Sequence, residues 1–106
     1  MALNDIFRAV SDPTRREILR LLRTGDMTAG EIAEQFPLAP STLSGHFNIL
    51  KGAGLIVPER QGSTIVYSLN ASAMEEALAA ILGALGIGGG PGAKRNARGR
   101  RKERGR

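Results

Sequence analysis

Proline and glycine punctuate this chain at Pro13, Gly25, Pro37, Pro40, Gly54 and Gly62, cutting it into short segments whose patterns alternate between helix and strand. Leu3, Phe7 and Val10 recur at i, i+4 and i+7 with Ile6 beside them, which predicts a short amphipathic helix. Asp12 caps a second helix that Pro13 opens, because the first helical position needs no N–H. Ile18, Leu19 and Leu22 face inward, Arg16, Glu17, Arg20 and Arg23 face out, and Gly25 ends the helix. Thr28-Ala29-Gly30-Glu31 is a capping box in which hydroxyl and carboxylate satisfy orphan N–H groups. Ile32, Ala33 and Phe36 form the apolar side of a third helix that Pro37 closes. Three residues later Pro40 opens a fourth helix reaching about Gly52. Helix, tight turn and helix with matched apolar sides is the helix-turn-helix pattern.

Gly54 stops the fourth helix. Leu55 to Arg60 and Thr64 to Leu69 then read as strands joined at Gln61-Gly62-Ser63. A hairpin after a helix-turn-helix makes a winged helix, so the expected fold is mainly α with a small β-hairpin. A last helix starts at Asn70 or Ser72. Beyond Glu76 it is apolar on every side, through Ala77, Leu78, Ala80, Ile81, Leu82, Ala84 and Leu85. A helix without a polar face needs cover all round. One small domain does not provide that, so this helix is expected to form a homodimer interface, joined by the first helix.

Charge is segregated. Residues 94–106 carry eight basic residues against Glu103, a net +7, which leaves −2 for the rest of a chain whose total is +5. Gly88-Gly89-Gly90-Pro91-Gly92 precedes them and favours neither helix nor strand. Two regions are expected: a folded domain at 1–87 and a disordered basic tail at 88–106. The tail is either solubilising or an arm on phosphates; as an arm it raises non-specific affinity and on-rate, not sequence choice. The absence of Cys excludes thiolate metal sites and disulfides, and the single His has no partner ligand, so no metal or other cofactor is expected. Nor is a small-molecule ligand. Four aromatics are too few for base-stacking recognition of single strands. Asn4, Asp5 and Arg8 precede any long apolar run, and the longest run, 77–87, is half of the roughly 20 residues a membrane span needs. A cytoplasmic, nucleoid-associated location is expected.

On the fourth helix, Leu43, His46, Phe47, Ile49 and Leu50 share one side, and Ser41, Ser44, Gly45 and Asn48 share the other. The first set is core, with His46 hydrogen-bonded and partly buried. The second is a small, polar, uncharged strip. Singly, such residues mean solvent. On the second helix of this motif they suit a deep position in the major groove, where hydroxyls and amides meet base edges. Ser41 and Thr42 lie in the first turn, where free N–H groups attract phosphate, and Lys51 follows the strip. Arg60 with the tip residues Gln61 and Ser63 is placed to meet the minor groove or phosphates.

Ser11-Asp12-Pro13-Thr14-Arg15-Arg16-Glu17-Ile18-Leu19 resembles the second-helix signature of the ArsR-type winged-helix repressors. Ser41-Thr42-Leu43-Ser44-Gly45-His46-Phe47-Asn48-Ile49-Leu50 resembles their recognition helix, and Ala53-Gly54-Leu55-Ile56 and Val66-Tyr67-Ser68-Leu69 resemble their wing. Residues 25–34 with Tyr67-Ser68-Leu69-Asn70 look most like the SdpR-type autorepressors of that family. The resemblance implies a bacterial homodimer whose first and last helices pair across a two-fold axis, each recognition helix entering a major groove. Many members sense metal through Cys pairs on the third helix or His and Asp on the last. This chain has Ile32-Ala33-Glu34 on the third helix and only adjacent Glu75 and Glu76 on the last, which excludes a sensor of that kind. Gly45 stands where the family often places a His.

The expected function is a dimeric transcriptional repressor, not an enzyme, binding double-stranded DNA at a pseudo-palindromic operator with half-sites about one helical turn apart or a multiple of it. A protein partner that sequesters it is compatible with this. The rival reading is a winged-helix interaction module without sequence-specific DNA binding.

Overall fold

The computed structural model describes residues 3–88. Elements follow in the order α1 (Leu3–Val10), α2 (Pro13–Arg23), β1 (Met27–Thr28), α3 (Ala29–Ala33), α4 (Pro40–Gly52), β2 (Ile56–Gln61), β3 (Thr64–Leu69) and α5 (Ala71–Ala84). This is the expected mainly α-helical winged helix-turn-helix, with one strand more than the sequence suggested. Met27 pairs with Tyr67 and Thr28 with Val66, so β1 extends the antiparallel hairpin to a three-stranded sheet ordered β1-β3-β2. Pro58 lies on β2, an edge strand where a missing N–H is tolerated.

The helix ends have the chemistry read from the sequence. Asp12 accepts the Arg15 N–H at 3.1 Å and caps α2. The Thr28 hydroxyl accepts from Glu31 N at 3.0 Å while the Glu31 carboxylate accepts from Thr28 N at 2.8 Å. Asn70, rather than Ser72, caps α5 by accepting from Ala73 N. Past α4, Gly54 adopts φ +80°, Leu55 N–H reaches the Leu50 carbonyl at 3.1 Å and Gly54 N–H reaches Lys51 at 2.9 Å. That Schellman closure turns the chain from the helix directly into the wing.

Three details differ from the sequence reading. The third helix stops at Ala33, which is exposed, and a turn carries the chain through Phe36. There Gln35 and Phe36 donate three residues back, to Ile32 and Ala33, and the proline after Phe36 disfavours further helix. The hairpin link has two residues, not three: Gln61 pairs with Thr64, and Gly62 at φ +66° supplies the first central position of the turn. On α1 the buried residues are Ile6 and Ala9, while Phe7 remains 42% exposed.

Through Ala73 the chain forms one compact unit, and a second begins at Met74. In the first, Ile6, Ile18, Ile32, Leu50, Leu55 and Ile56 are the largest fully buried side chains. Phe47 of α4 stacks on Tyr67 of β3 with ring centroids 4.6 Å apart and planes at 30°. Burying each such side chain stabilises by about 1.5–3 kcal/mol, and Leu43, Phe47 and Leu50 thereby fix α4 on the body. In the second unit, α5 closes at Gly86 (φ +75°), with Ile87 N–H on the Leu82 carbonyl at 2.8 Å. Leu78, Leu85 and Ile87 are exposed there. No helix among the described residues is long and apolar enough to cross a membrane. The glycine-rich and basic stretch from residue 89 onward lies outside the described residues, and so does the expectation made for it.

Candidate nucleic-acid interface

The register of α4 sorts its residues cleanly. Leu43, Phe47 and Leu50 are buried, and His46 and Ile49 half-buried. Ser41, Thr42, Ser44, Gly45, Asn48 and Lys51 are all exposed. Before Lys51 the exposed strip carries no charge and no side chain longer than Asn. Nothing lies within 4 Å of where a Cβ on Gly45 would stand, so the strip is open at its centre.

The start of α4 lacks a side-chain cap: Ala39 stands at the cap position and Pro40 at the first helical position. Leu43 N–H is the first to find a carbonyl, on Ala39. The amides of Ser41 and Thr42 therefore have no protein acceptor among the described residues. Together with the positive end of the helix dipole they favour an oxygen-rich anionic group at this point.

Arg60, Gln61 and Ser63 are exposed on the wing, as expected of its tip. The structure brings Ser63 together with Thr28, Ala29 and Gly30 at the start of α3, around an open pocket of about 360 Å³. Asn48 instead shares an open pocket of about 220 Å³ with Asp5 and Arg8 of α1 and with Ile49, Gly52 and Ala53. Arg8 is thus a cation beside the strip that helical periodicity did not single out; nothing in its local sequence relates it to Asn48.

A second residue missed by periodicity is Arg15. It looks like one more cation on a cation-rich helix, yet it is buried, 8% exposed. Its Nε–H donates to the Ala9 carbonyl at 2.9 Å and its Nη2–H to the Arg8 carbonyl at 2.8 Å. Its Nη1 lies 3.0 Å from His46 Nδ1. Three directed donors suit the planar guanidinium and let a full charge be buried. His46 is the hydrogen-bonded, partly buried histidine expected. Asp12 sits 3.9 Å from the same ring nitrogen. The Arg15 backbone N–H, against the opposing effect of burial, holds the Asp12 carboxyl below its ordinary pKa. Burial raises that of the Tyr67 phenol. Among the described residues no three His, Cys, Asp or Glu side chains gather as a metal site would need.

Residues 12–57 match the model of the bacterial regulatory protein arsR family. The chain is 50% identical over 76 residues to the transcriptional repressor SdpR of Bacillus subtilis (strain 168), covering 72% of this chain and 84% of that protein. It is 36% identical over 81 residues to the HTH-type transcriptional regulator CmtR of Mycobacterium tuberculosis (strain ATCC 25618 / H37Rv), covering 76% and 69% respectively. Among solved structures, a possible transcriptional regulator for arsenical resistance superposes with a TM-score of 0.70 at 30% identity, over 79% of this chain and 86% of that one. An ArsR-like transcriptional regulator from Rhodococcus sp. RHA1 superposes with a TM-score of 0.68 at 31% identity, over 79% and 78%.

Proposed function

The chain belongs to the ArsR family of bacterial regulatory proteins, DNA-binding regulators of transcription rather than enzymes, and from that premise we propose that it is a homodimeric autorepressor reading a pseudo-palindromic operator. The observation that carries this is the exposed face of α4: short, uncharged, hydrogen-bonding side chains on a helix held rigidly by Leu43, Phe47 and Leu50. In the major groove Ser41, Ser44 and Asn48 meet base edges, and Gly45 lets the backbone come close. The amides of Ser41 and Thr42 take a phosphate, Lys51 takes another, and Arg60, Gln61 and Ser63 reach from the wing.

Two copies are needed for a two-fold operator. Exposed Leu78 on α5, Leu85 and Ile87 just past its end, and Phe7 on α1 supply apolar surface for that contact. Within this reading, residues 1–87 form the DNA-binding and dimerising domain and the basic tail adds phosphate contacts. The same α5 surface supports a second reading, in which a protein partner covers it and withdraws the repressor from DNA.

Selection of bound duplexes from a random library and from the host genome tests the proposal. Wild type is expected to recover one two-fold-related sequence, including its own promoter. Ser41→Ala combined with Ser44→Ala should abolish selective recovery while sedimentation still shows a dimer. Recovery of no sequence above background by the wild type contradicts the reading and favours the interaction module.

A further inference from the structure

His46 lies on the recognition helix but outside the exposed strip, and its side chain is only 15% exposed. Its Nδ1 is 3.0 Å from Arg15 Nη1. A guanidinium only donates, so Nδ1 keeps its lone pair and the ring proton sits on Nε2. The other Arg15 donors hold the Arg8 and Ala9 carbonyls, in the last turn of α1. One buried side chain on α2 thus ties the end of α1 to the middle of α4. We propose that Arg15 and His46 form a proton-sensitive strut: Arg15 positions the recognition helix through neutral His46, and a proton on Nδ1 releases it. This rests on the reading of α4 as the helix that enters DNA.

A proton on Nδ1 occupies the lone pair that Arg15 uses. It also sets two cations about 3 Å apart where water reaches poorly, and like charges there repel strongly. Asp12 Oδ2, 3.9 Å away, is the acceptor to which a protonated ring turns. That carboxylate already holds the Arg15 N–H at the α2 cap, so the turn loads the junction of α1 and α2. Asp12 and Arg15 are the charged groups facing the ring. Of the other charges on packed elements, Arg16, Arg20 and Arg23 of α2 are exposed and Glu17 pairs with Arg20. On α1, Asp5 and Arg8 stand by Asn48 and Ile49, and on β2, Glu59 and Arg60 are exposed. Imidazole is the side chain suited to change charge between about pH 5 and 8.

The sign of the effect separates a strut from simple electrostatics. An added positive charge on a DNA-facing helix by itself strengthens binding as pH falls. Release of the strut weakens it, because α4 loses its fixed pose.

The chain has one histidine, so imidazole nitrogen spectra of the full-length protein report His46 alone. At neutral pH these should show an unprotonated Nδ1 and a protonated Nε2, and lowering the pH until the ring protonates should shift amides at 8–10 and along α4 together with the imidazole signal. His46→Asn places a non-titrating acceptor near the Nδ1 position and should hold those amides still. On a duplex carrying the promoter of the chain's own gene, wild-type affinity should fall about threefold to tenfold over the same range, and that of His46→Asn should not. An Nδ1-protonated tautomer at neutral pH overturns the strut, even if His46→Asn fails to fold. Selective binding of equal strength at both pH values overturns it too. Loss of selectivity for that duplex at both pH values, with the spectra as expected, overturns the DNA reading and leaves the link between α1 and α4 standing.

Discussion

At the scale of single residues, the largest difference between what a side chain looks like in the sequence and what it does is at Arg15. Periodicity reports only that a position faces in or out, and a charged residue is by default assigned outward. Arg15 is buried because three acceptors converge on it: the Arg8 and Ala9 carbonyls at the nearby end of α1, and His46 on α4, 31 positions away and beyond any local window of sequence. The α4 residues were legible for the opposite reason: one helix at 3.6 residues per turn separates Leu43, Phe47 and Leu50 from Ser41, Ser44 and Asn48 without outside help. Asp12 offers a test here. Its folded-state pKa is lowered, so its contribution to stability is complete above the ordinary aspartate value and is lost as pH falls through the lowered one. Urea midpoints measured across the acid range should therefore drop for wild type, and the curve for Asp12→Asn, which keeps a capping oxygen, should be flatter in that window.

Element ends and lengths were legible where a cap or a special backbone angle fixes them, as at Asp12, the Thr28–Glu31 box and Gly54. Short pairings were not. β1 is two residues long, and its existence depends on Tyr67 and Val66 some forty positions away. The apolar pattern overextends α3, because Phe36 suits an apolar helix face but stands directly before Pro37. Two glycines make a matched prediction. Gly54 has φ +80° with open space around it, so Gly54→Ala should cost about 1–2 kcal/mol through backbone strain alone. Gly45 sits within α4 with equal space and an ordinary φ, so Gly45→Ala should stabilise by about 1 kcal/mol. If Gly45 lies against the groove, the same substitution should weaken operator binding while it raises the denaturation midpoint. Denaturant titration and a binding isotherm on each variant check both halves.

For the whole molecule, the charge pattern and the apolar helix set the terms. The body is mildly acidic, and Leu78 on α5 and Leu85 and Ile87 just past its end are exposed. Removing the +7 tail by ending the chain at Ile87 should flatten the dependence of log affinity on log salt, since fewer counterions are released, and should leave sequence choice unchanged. An unchanged slope would show that the tail does not touch phosphates. The proposed operator reading depends on two α4 helices held a fixed distance apart in a dimer. Hydroxyl-radical footprinting on the selected duplex tests that most directly. Two protected windows on one face of the DNA, symmetric about a centre and about 10 base pairs apart or a multiple of it, are the predicted result. A single window, or even protection along the fragment, would contradict it.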